Sequence, residues 1–452
     1  MAVEFLLQAF AQFRTEDAIV HENQTYSYID LLQEYQACQK KLQESRLIAP
    51  GKVVTLEADF SLSSTAMLLA LVAQRCIVVP LSDTVTPIKH DLKEISRIET
   101  VVEINGKSID ILDTGIKAQH ALYDQLIAAD SAGLVLFSSG STGKRKAIVH
   151  DFNRILTKFH AQRPKKRAIC FYLFDHIGGI DTLLHTLSNG GCVITVPDRQ
   201  PQTVCQIIEK HRAEVLPASP TFINLLLLSE YDRQYDLSSV QIVTYGTEVM
   251  PQSTLDRLCE RLPWVKTLQK YGLSEVGALR SKSKDNNSTW VKLGGEGIDL
   301  RVVDDMLEIK SNSSMLGYLN ADSPFIDDGW FKTDDKVEVQ GEYFRILGRE
   351  SDHINIGGEK FFPAEAEEIL MKMQNVADVA ISARPNPITG QMVVGKFLLK
   401  SPQAAGEFRK ALRQYCQQHL PSYMTPQKII ISDSALHSDR YKKQRLPTQK
   451  AK

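Results

Sequence analysis

The chain has 452 residues, with 53 Lys and Arg against 54 Asp and Glu, a formal net charge of −1, 43% hydrophobic residues and 24% charged ones. These values exclude disorder, a fibre and a polybasic nucleic-acid binder, and at roughly 150 residues per domain the length predicts two to four domains. The cysteines (Cys38, Cys76, Cys170, Cys192, Cys205, Cys259 and Cys416) are scattered, odd in number and include no CxxC pair. That pattern speaks against a disulfide framework or a Cys-rich zinc site and fits a reducing compartment. The N-terminal run MAVEFLLQAFAQF carries Glu4 and no basic segment, so it reads as an amphipathic helix rather than a signal peptide. The longest apolar stretch, 65–80, is interrupted by Gln74 and Arg75 and is too short and polar to span a membrane. The expectation is a soluble cytoplasmic protein.

In chain order, helical periodicity runs over 28–45, a β-rich run over 52–56, a helix over 64–75, a buried strand over 76–80 and another strand over 134–137. Alternation continues through 167–173, 181–187, 192–196, 203–211, 215–216, 221–228 and 240–244, which predicts α/β sheets that are largely parallel. From about 290 to 348 the pattern becomes β-rich, with short strands at 299–303, 307–309, 336–340 and 343–347. After Gly348 come a polar stretch, a helix (363–373), two strands (376–383 and 392–399), a helix (403–419) and a strand (428–432). This predicts a separate α+β module.

The segment Leu134-Val-Leu-Phe-Ser-Ser-Gly-Ser-Thr-Gly-Lys-Arg-Lys146 joins a buried strand to small residues and then to cations. Gly140 and Gly143 let backbone N–H groups face a ligand, while Ser139, Ser141 and Thr142 add hydroxyls and Lys146 adds charge, a donor set suited to polyphosphate. The spacing is not that of a Walker A loop. The loop resembles the phosphate-binding motif of the adenylate-forming (AMP-binding) superfamily, Ser-Gly-Ser-Thr-Gly-x-Pro-Lys-Gly, with Arg145 at the proline and Ala147 at the last glycine. That superfamily includes acyl-CoA synthetases, adenylation domains of peptide synthetases, and luciferase.

Further matches follow in the same order and extend the resemblance over nearly the whole chain. Tyr271-Gly-Leu-Ser-Glu275 resembles Tyr-Gly-x-Thr-Glu. An aromatic ring such as Tyr271 suits adenine, and a carboxylate such as Glu275 suits Mg²⁺ on phosphate oxygens. Gly272 and Ser274 belong to the same nucleotide-binding run. Gly329-Trp-Phe-Lys-Thr-Asp-Asp335 resembles Gly-Trp-Phe-x-Thr-Gly-Asp, which implies that Asp335 accepts ribose hydroxyls and that Asp334 replaces a glycine. Gly348-Arg-Glu-Ser-Asp-His-Ile-Asn-Ile-Gly-Gly-Glu-Lys360 resembles the hinge motif. It implies that Arg349 approaches the ribose, that Asp352 is the hinge, and that Gly357 and Gly358 form a loop used in thioester formation; Asn355 stands where lysine is common. Near the C-terminus, Arg445 selects Lys442 as the catalytic lysine, with Tyr441 at a glycine position and Lys443 as the competing choice. Phe174-Asp-His-Ile-Gly-Gly179 implies that His176 lies beside the acid, and Tyr245-Gly-Thr-Glu248 places Gly246, Thr247 and Glu248 beside adenine and the acyl group.

The resemblance thus implies a large N-terminal domain (1–351) that binds ATP and the acid, and a small mobile C-terminal domain (352–452) that carries the lysine. It implies an acid–thiol ligase of the acyl- or aryl-CoA synthetase type that uses ATP, Mg²⁺ and CoA. The phosphopantetheine arm of an acyl carrier protein is the second thiol candidate. Amino-acid adenylation, suggested by Phe174-Asp175, and a degenerate adenylate-binding protein compete with the acid–thiol ligase. The chain is short for the superfamily, which tilts the expected acid toward an aromatic or compact one. The basic cluster 163–167 and the basic C-terminal tail are either contacts for the acceptor or solvated surface.

Overall fold

A computed structural model describes residues 3–138, 145–387, 389–438 and 440–445. The first seven-stranded sheet runs, edge to edge, Gly317–Tyr318, Lys146–Asp151, Gly133–Ser138, Ile77–Leu81, Val53–Glu57, Thr100–Asn105 and Ser108–Asp113. Its centre is parallel and its two margins antiparallel. The second runs Lys266–Gln269, Ile242–Tyr245, Val215–Ala218, Arg167–Ile169, Cys192–Ile194, Asp17–His21 and Gln24–Ser27, parallel except for the last pair. The strands Val53–Glu57 and Ile77–Leu81 are buried at every position, as expected of a sheet covered on both faces.

The helices Tyr28–Ser45, Leu62–Ala73 and Ile177–Ser188 share one core with residues of both sheets. Two capping boxes start the first two of them: Ser27 with Asp30, and Ser61 with Ser64. Buried Tyr28 donates its hydroxyl to the carbonyls of Leu187 (3.1 Å) and Gly191 (2.7 Å), tying the N-terminal helices to the second sheet.

The third sheet is antiparallel and begins earlier than the sequence suggests, at Arg280–Ser283, because its polar edge strand lacks an apolar alternation. Its centre pairs Trp330–Gln340 with Tyr343–Arg349. The strand predicted over 167–173 is shorter, Arg167–Ile169, and the remaining apolar residues form the irregular segment that leads to His176.

The C-terminal module packs the helices Pro363–Leu370 and Ala405–His419 on a three-stranded sheet, Val376–Asn386, Gly390–Leu399 and Lys428–Ile431. Its core is drawn from residues between Ile354 and Met424, with Ile429 and Ile431 packed against it. Tyr441, further along the chain, belongs instead to the core of the second N-terminal sheet. Among the described residues no helix is long and apolar enough to cross a membrane.

Candidate active site

The candidate site lies where the segments after the parallel strands of the second sheet face the third sheet and residues 440–445. Ser139, Gly140, Ser141, Thr142 and Gly143 lie outside the described residues, but the strands on either side of them pair in register, Ser138 with Lys146. At the loop's exit Asn320 donates to the Arg145 carbonyl (2.8 Å) and accepts from the Ala147 amide (2.9 Å). The Lys146 ammonium stands over the Tyr318 ring, 4.8 Å from its centroid, and the Tyr318 hydroxyl donates to Glu275 Oε1 at 2.8 Å. Lys146 and Glu275, 129 positions apart in the numbering, are thereby bracketed by one tyrosine.

Glu275 belongs to the turn after Gly272–Leu273. A Cβ on Gly272 would lie 2.6 Å from the Gly277 carbonyl oxygen, so this hairpin requires glycine. Behind it, buried His150 bonds the Ser274 carbonyl at 2.6 Å. Burial pushes the His150 imidazole down to about 4, so it is neutral and donates through Nε2. Among the described residues the second Glu275 oxygen has no hydrogen-bond partner, and no three acidic, His or Cys groups cluster as a metal site. Such a donor set suits a cation held mainly by phosphate oxygens and by one protein carboxylate.

At the other wall, Asp335 and Arg349 face each other in the register of their strands, with Nε 3.3 Å from Oδ1. The Tyr271 hydroxyl donates to Asp335 Oδ2 at 2.6 Å, and the ring is buried in the core of the third sheet. Burial raises the Asp335 carboxyl, and Arg349 works against that rise. Asp334, at a position the resemblance fills with glycine, keeps the left-handed backbone (φ 58°) and is exposed.

His176 caps the helix Ile177–Ser188: its Nδ1 accepts the Gly178 amide at 3.0 Å. The proton is therefore on Nε2. Burial, and after it the charges of Lys442 and Arg440, push the ring down to about 3, so His176 is a neutral donor. Gly179 admits the Leu173 carbonyl, which a Cβ would meet at 2.1 Å. Along the same helix Gly178, Asp181, Thr182 and His185 form the accessible stripe, while the other positions are buried. Asp181 pairs with Lys158, and Lys270 stands within electrostatic range of both.

Gly246 is buried where a Cβ would lie 2.5 Å from the Lys270 carbonyl oxygen, and Thr247 next to it has a left-handed φ of 71°. Glu248 accepts from the Thr221 hydroxyl (2.7 Å) with one oxygen and from the Lys443 amide (2.5 Å) with the other. The two candidate lysines separate clearly. The Lys443 ammonium is held by Asp378 (2.9 Å), the Val379 carbonyl (2.9 Å) and Glu367 (3.8 Å) of the C-terminal module. Arg445 forks onto the same Glu367 at 2.9 and 2.8 Å. The Lys442 side chain shares none of these partners: it is exposed, and its ammonium lies within electrostatic range of Glu248, Arg349, Arg440 and Glu275. Desolvation by the surrounding protein lowers its ammonium below the usual lysine value.

Asp352 is exposed in a short turn between the third sheet and the C-terminal module. Gly357 and Gly358 turn the hairpin Ile354–Ile356 to Glu359–Phe361 with φ of 62° and 103°, and Asn355 Oδ1 accepts the Gly358 amide at 2.9 Å. Asn355 therefore stabilises a turn where the resemblance has a cation. In the basic cluster, Lys165, Lys166 and Arg167 pair with Glu16, Glu214 and Asp17.

Tyr318, Asn320, Thr221, Lys270 and His150 lie outside the motifs read from the sequence. Only Lys270, next to Tyr271, carried a positional signal; His150 and Tyr318 lie on strands brought in by the sheet order, Asn320 follows one of them, and Thr221 lies in the first turn of the helix Pro220–Ser229.

A family profile described as AMP-binding enzyme matches residues 6–319, and the profile of the AMP-binding enzyme C-terminal domain matches 365–443. A 3-[(3aS,4S,7aS)-7a-methyl-1,5-dioxo-octahydro-1H-inden-4-yl]propanoyl:CoA ligase of Mycobacterium tuberculosis is 28% identical over 362 residues, which cover 76% of this chain and 71% of that protein. A 2-succinylbenzoate–CoA ligase of Enterococcus faecalis is 23% identical over 71% of this chain and 70% of its own length. The crystal structure of an anthranilate CoA ligase in complex with anthranoyl-AMP shares the fold, with a TM-score of 0.81, 17% identity and coverage of 98% of this chain and 95% of that one. With the first profile spanning well over half of the sequence and the second covering the C-terminal module, the chain belongs to the AMP-binding enzyme family.

Proposed function

We propose that the protein activates a carboxylic acid with ATP to acyl-AMP, releasing pyrophosphate, and then passes the acyl group to the thiol of CoA. The observation that carries this reading is that the segment 440–443 is tied to Asp175, Ser219 and Glu248, which brings Lys442 within electrostatic range of His176, Glu275 and Arg349. In the first half-reaction an acid oxygen attacks the α-phosphorus and the bond to the pyrophosphate oxygen breaks. Two anions meet, so the task is electrostatic: Lys442 supplies positive charge, His176 offers its Nε2 proton to the acid, and Lys146 flanks the phosphates. Asp335 and Arg349 orient the ribose. Glu275 would hold Mg²⁺ through its open carboxylate oxygen, and the ion would supply neutralisation of phosphate charge. In the second half the thiol sulfur attacks the acyl carbon, the bond to AMP breaks, and the thiol proton passes to solvent.

CoA is favoured as acceptor by the names of the relatives. The basic cluster offers little to an acidic carrier protein, since three of its cations already have internal partners. Amino-acid activation is disfavoured because Asp175 is engaged by Arg440 at 2.8 Å. We place the boundary between a large domain (1–351) and a mobile small one (352–452) at Asp352. ATP–pyrophosphate exchange across aryl, short-chain, long-chain and amino acids tests the proposal: exchange with a compact or aromatic acid supports it, and silence with all acids favours a non-catalytic adenylate-binding protein. Offering CoA and a carrier protein side by side to the acyl-AMP separates the acceptors.

A further inference from the structure

Tyr441 sits immediately before Lys442, at a position the resemblance fills with glycine. The backbone there is left-handed (φ 52°), a conformation costly for a bulky residue, and the side chain is nevertheless 5% exposed. Its ring leaves the C-terminal module and enters the core of the second N-terminal sheet. Phe222 meets it edge-on with centroids 5.4 Å apart, Phe171 lies at 5.7 Å, and the Arg199 guanidinium stands 5.9 Å from the ring centre. On its other side His437 stacks at 4.7 Å, joining the ring to its own module. The Tyr441 carbonyl accepts the buried Ser219 hydroxyl at 2.7 Å. One residue earlier, Arg440 reaches Asp175, whose other oxygen is buried with no hydrogen-bond partner among the described residues.

Phe171 and Asp175 lie on one irregular segment, which ends at His176. The grip of the C-terminal loop on the large domain is therefore a grip on the wall that carries the proposed acid-side donor.

We propose that Tyr441 is a positioning residue: its ring, packed against the Phe171–Phe222 pair and seconded by the Arg440–Asp175 pair, holds Lys442 in the cleft for acid activation and must withdraw before thiol transfer. This rests on the two-step reading above. Burying an aromatic ring across a domain boundary favours the state in which Lys442 faces the cleft. A state that removes Lys442 must expose Tyr441 or re-bury it elsewhere.

The test compares Tyr441→Gly, which removes the ring while accepting the left-handed backbone, with Tyr441→Phe, which keeps the ring. Acid-dependent pyrophosphate exchange should fall by at least twentyfold in Tyr441→Gly and stay within threefold of wild type in Tyr441→Phe. Thioester formation from supplied acyl-AMP should be unchanged or faster in both. A second readout needs no substrate: spin labels at Lys107→Cys and Lys410→Cys, in a Cys259→Ser background, should report one closed distance in wild type and Tyr441→Phe and a broadened, longer distribution in Tyr441→Gly. Equal loss of both half-reactions in Tyr441→Gly, or an unaltered label distance, overturns the proposal. Silence of the wild-type enzyme in exchange with every acid overturns the ligase reading alone, and the label distance then decides whether Tyr441 holds the module.

Discussion

The two ends of the cleft are built differently. At the proposed ribose end Asp335 and Arg349 face each other in the register of one antiparallel sheet, and Tyr271, its ring buried in that sheet's core, donates to Asp335. At the lysine end Lys442 is placed by contacts that cross between modules: Tyr441 with Phe171 and Phe222, Arg440 with Asp175, the Lys443 amide with Glu248, and Asn224 with the Ala377 carbonyl. The first arrangement is preorganised and needs no motion. The second is assembled from surfaces that can part, as expected where one site must serve two chemical steps. The Asp335–Arg349 end is thus set within one sheet, and the placement of Lys442 is set by contacts between the modules.

The largest effect should come from removing the lysine itself. Lys442→Ala should lower pyrophosphate exchange by about 10²–10³-fold, the scale of losing one preorganised electrostatic group. Thioester formation from supplied acyl-AMP should be largely spared, and equal loss of both steps would remove Lys442 from its role. Lys443→Ala provides the contrast. It leaves Asp378 and Glu367 short of a buried cation and should cost about 3–5 kcal/mol of stability, read as a lowered midpoint of denaturant unfolding.

Next in size is the ribose end. Asp335→Ala should raise KM for ATP by about 10- to 100-fold, the scale of losing hydrogen bonds to a charged acceptor. Because this end does not depend on domain position, the distance between labels on the two modules should not change. A changed distance would show that the two ends are coupled, contrary to the comparison.

His176 tests the site by pH. Its folded value near 3 lies below the unfolded value near 6.5, so the unfolded chain binds the proton first. Stability linked to neutral His176 is complete above about pH 6.5 and declines as pH falls toward 3. His150, near 4, acts in the same direction. His176→Gln should lower exchange roughly tenfold, the scale of one lost hydrogen bond to a charged group, while the pH–rate profile between 5 and 9 keeps its shape. Loss of an ionisation near 6–7 in that variant would show that His176 titrates in the working range and acts as a base.

The strongest sequence signals were the buried alternation of the parallel strands and the spacing of short polar motifs, because both are set by local rules. The helix over 28–45 coincides with Tyr28–Ser45, where Ser27 and Asp30 close a capping box. The polar strand Arg280–Ser283 was not legible, since neither face of it is buried enough to impose an alternation. For Lys442 over Lys443 the sequence offers only the spacing to Arg445, because adjacent lysines have the same chemistry; the partners Asp378 and Glu367, which hold Lys443, come from distant positions. Tyr318 was invisible for a similar reason: it meets Glu275 and Lys146 through a two-residue strand at the edge of a sheet.

The smallest expected effect comes from Asp334, and it sharpens the comparison from the quiet side. Asp334 and Tyr441 both replace glycine in the resemblance, and both hold left-handed backbone, at φ of 58° and 52°. Their side chains differ in what they meet. Asp334 is exposed, so Asp334→Gly relieves a mildly unfavourable φ, adds unfolded-state entropy and removes no packing. The two terms are each below about 1 kcal/mol and opposed, so unfolding midpoint and both half-reactions should stay close to wild type. Tyr441→Gly makes the same backbone exchange and should nevertheless split the half-reactions. If Asp334→Gly produced a comparable split, backbone conformation and not the inserted ring would be the common cause, and the lysine end would owe its placement to local geometry.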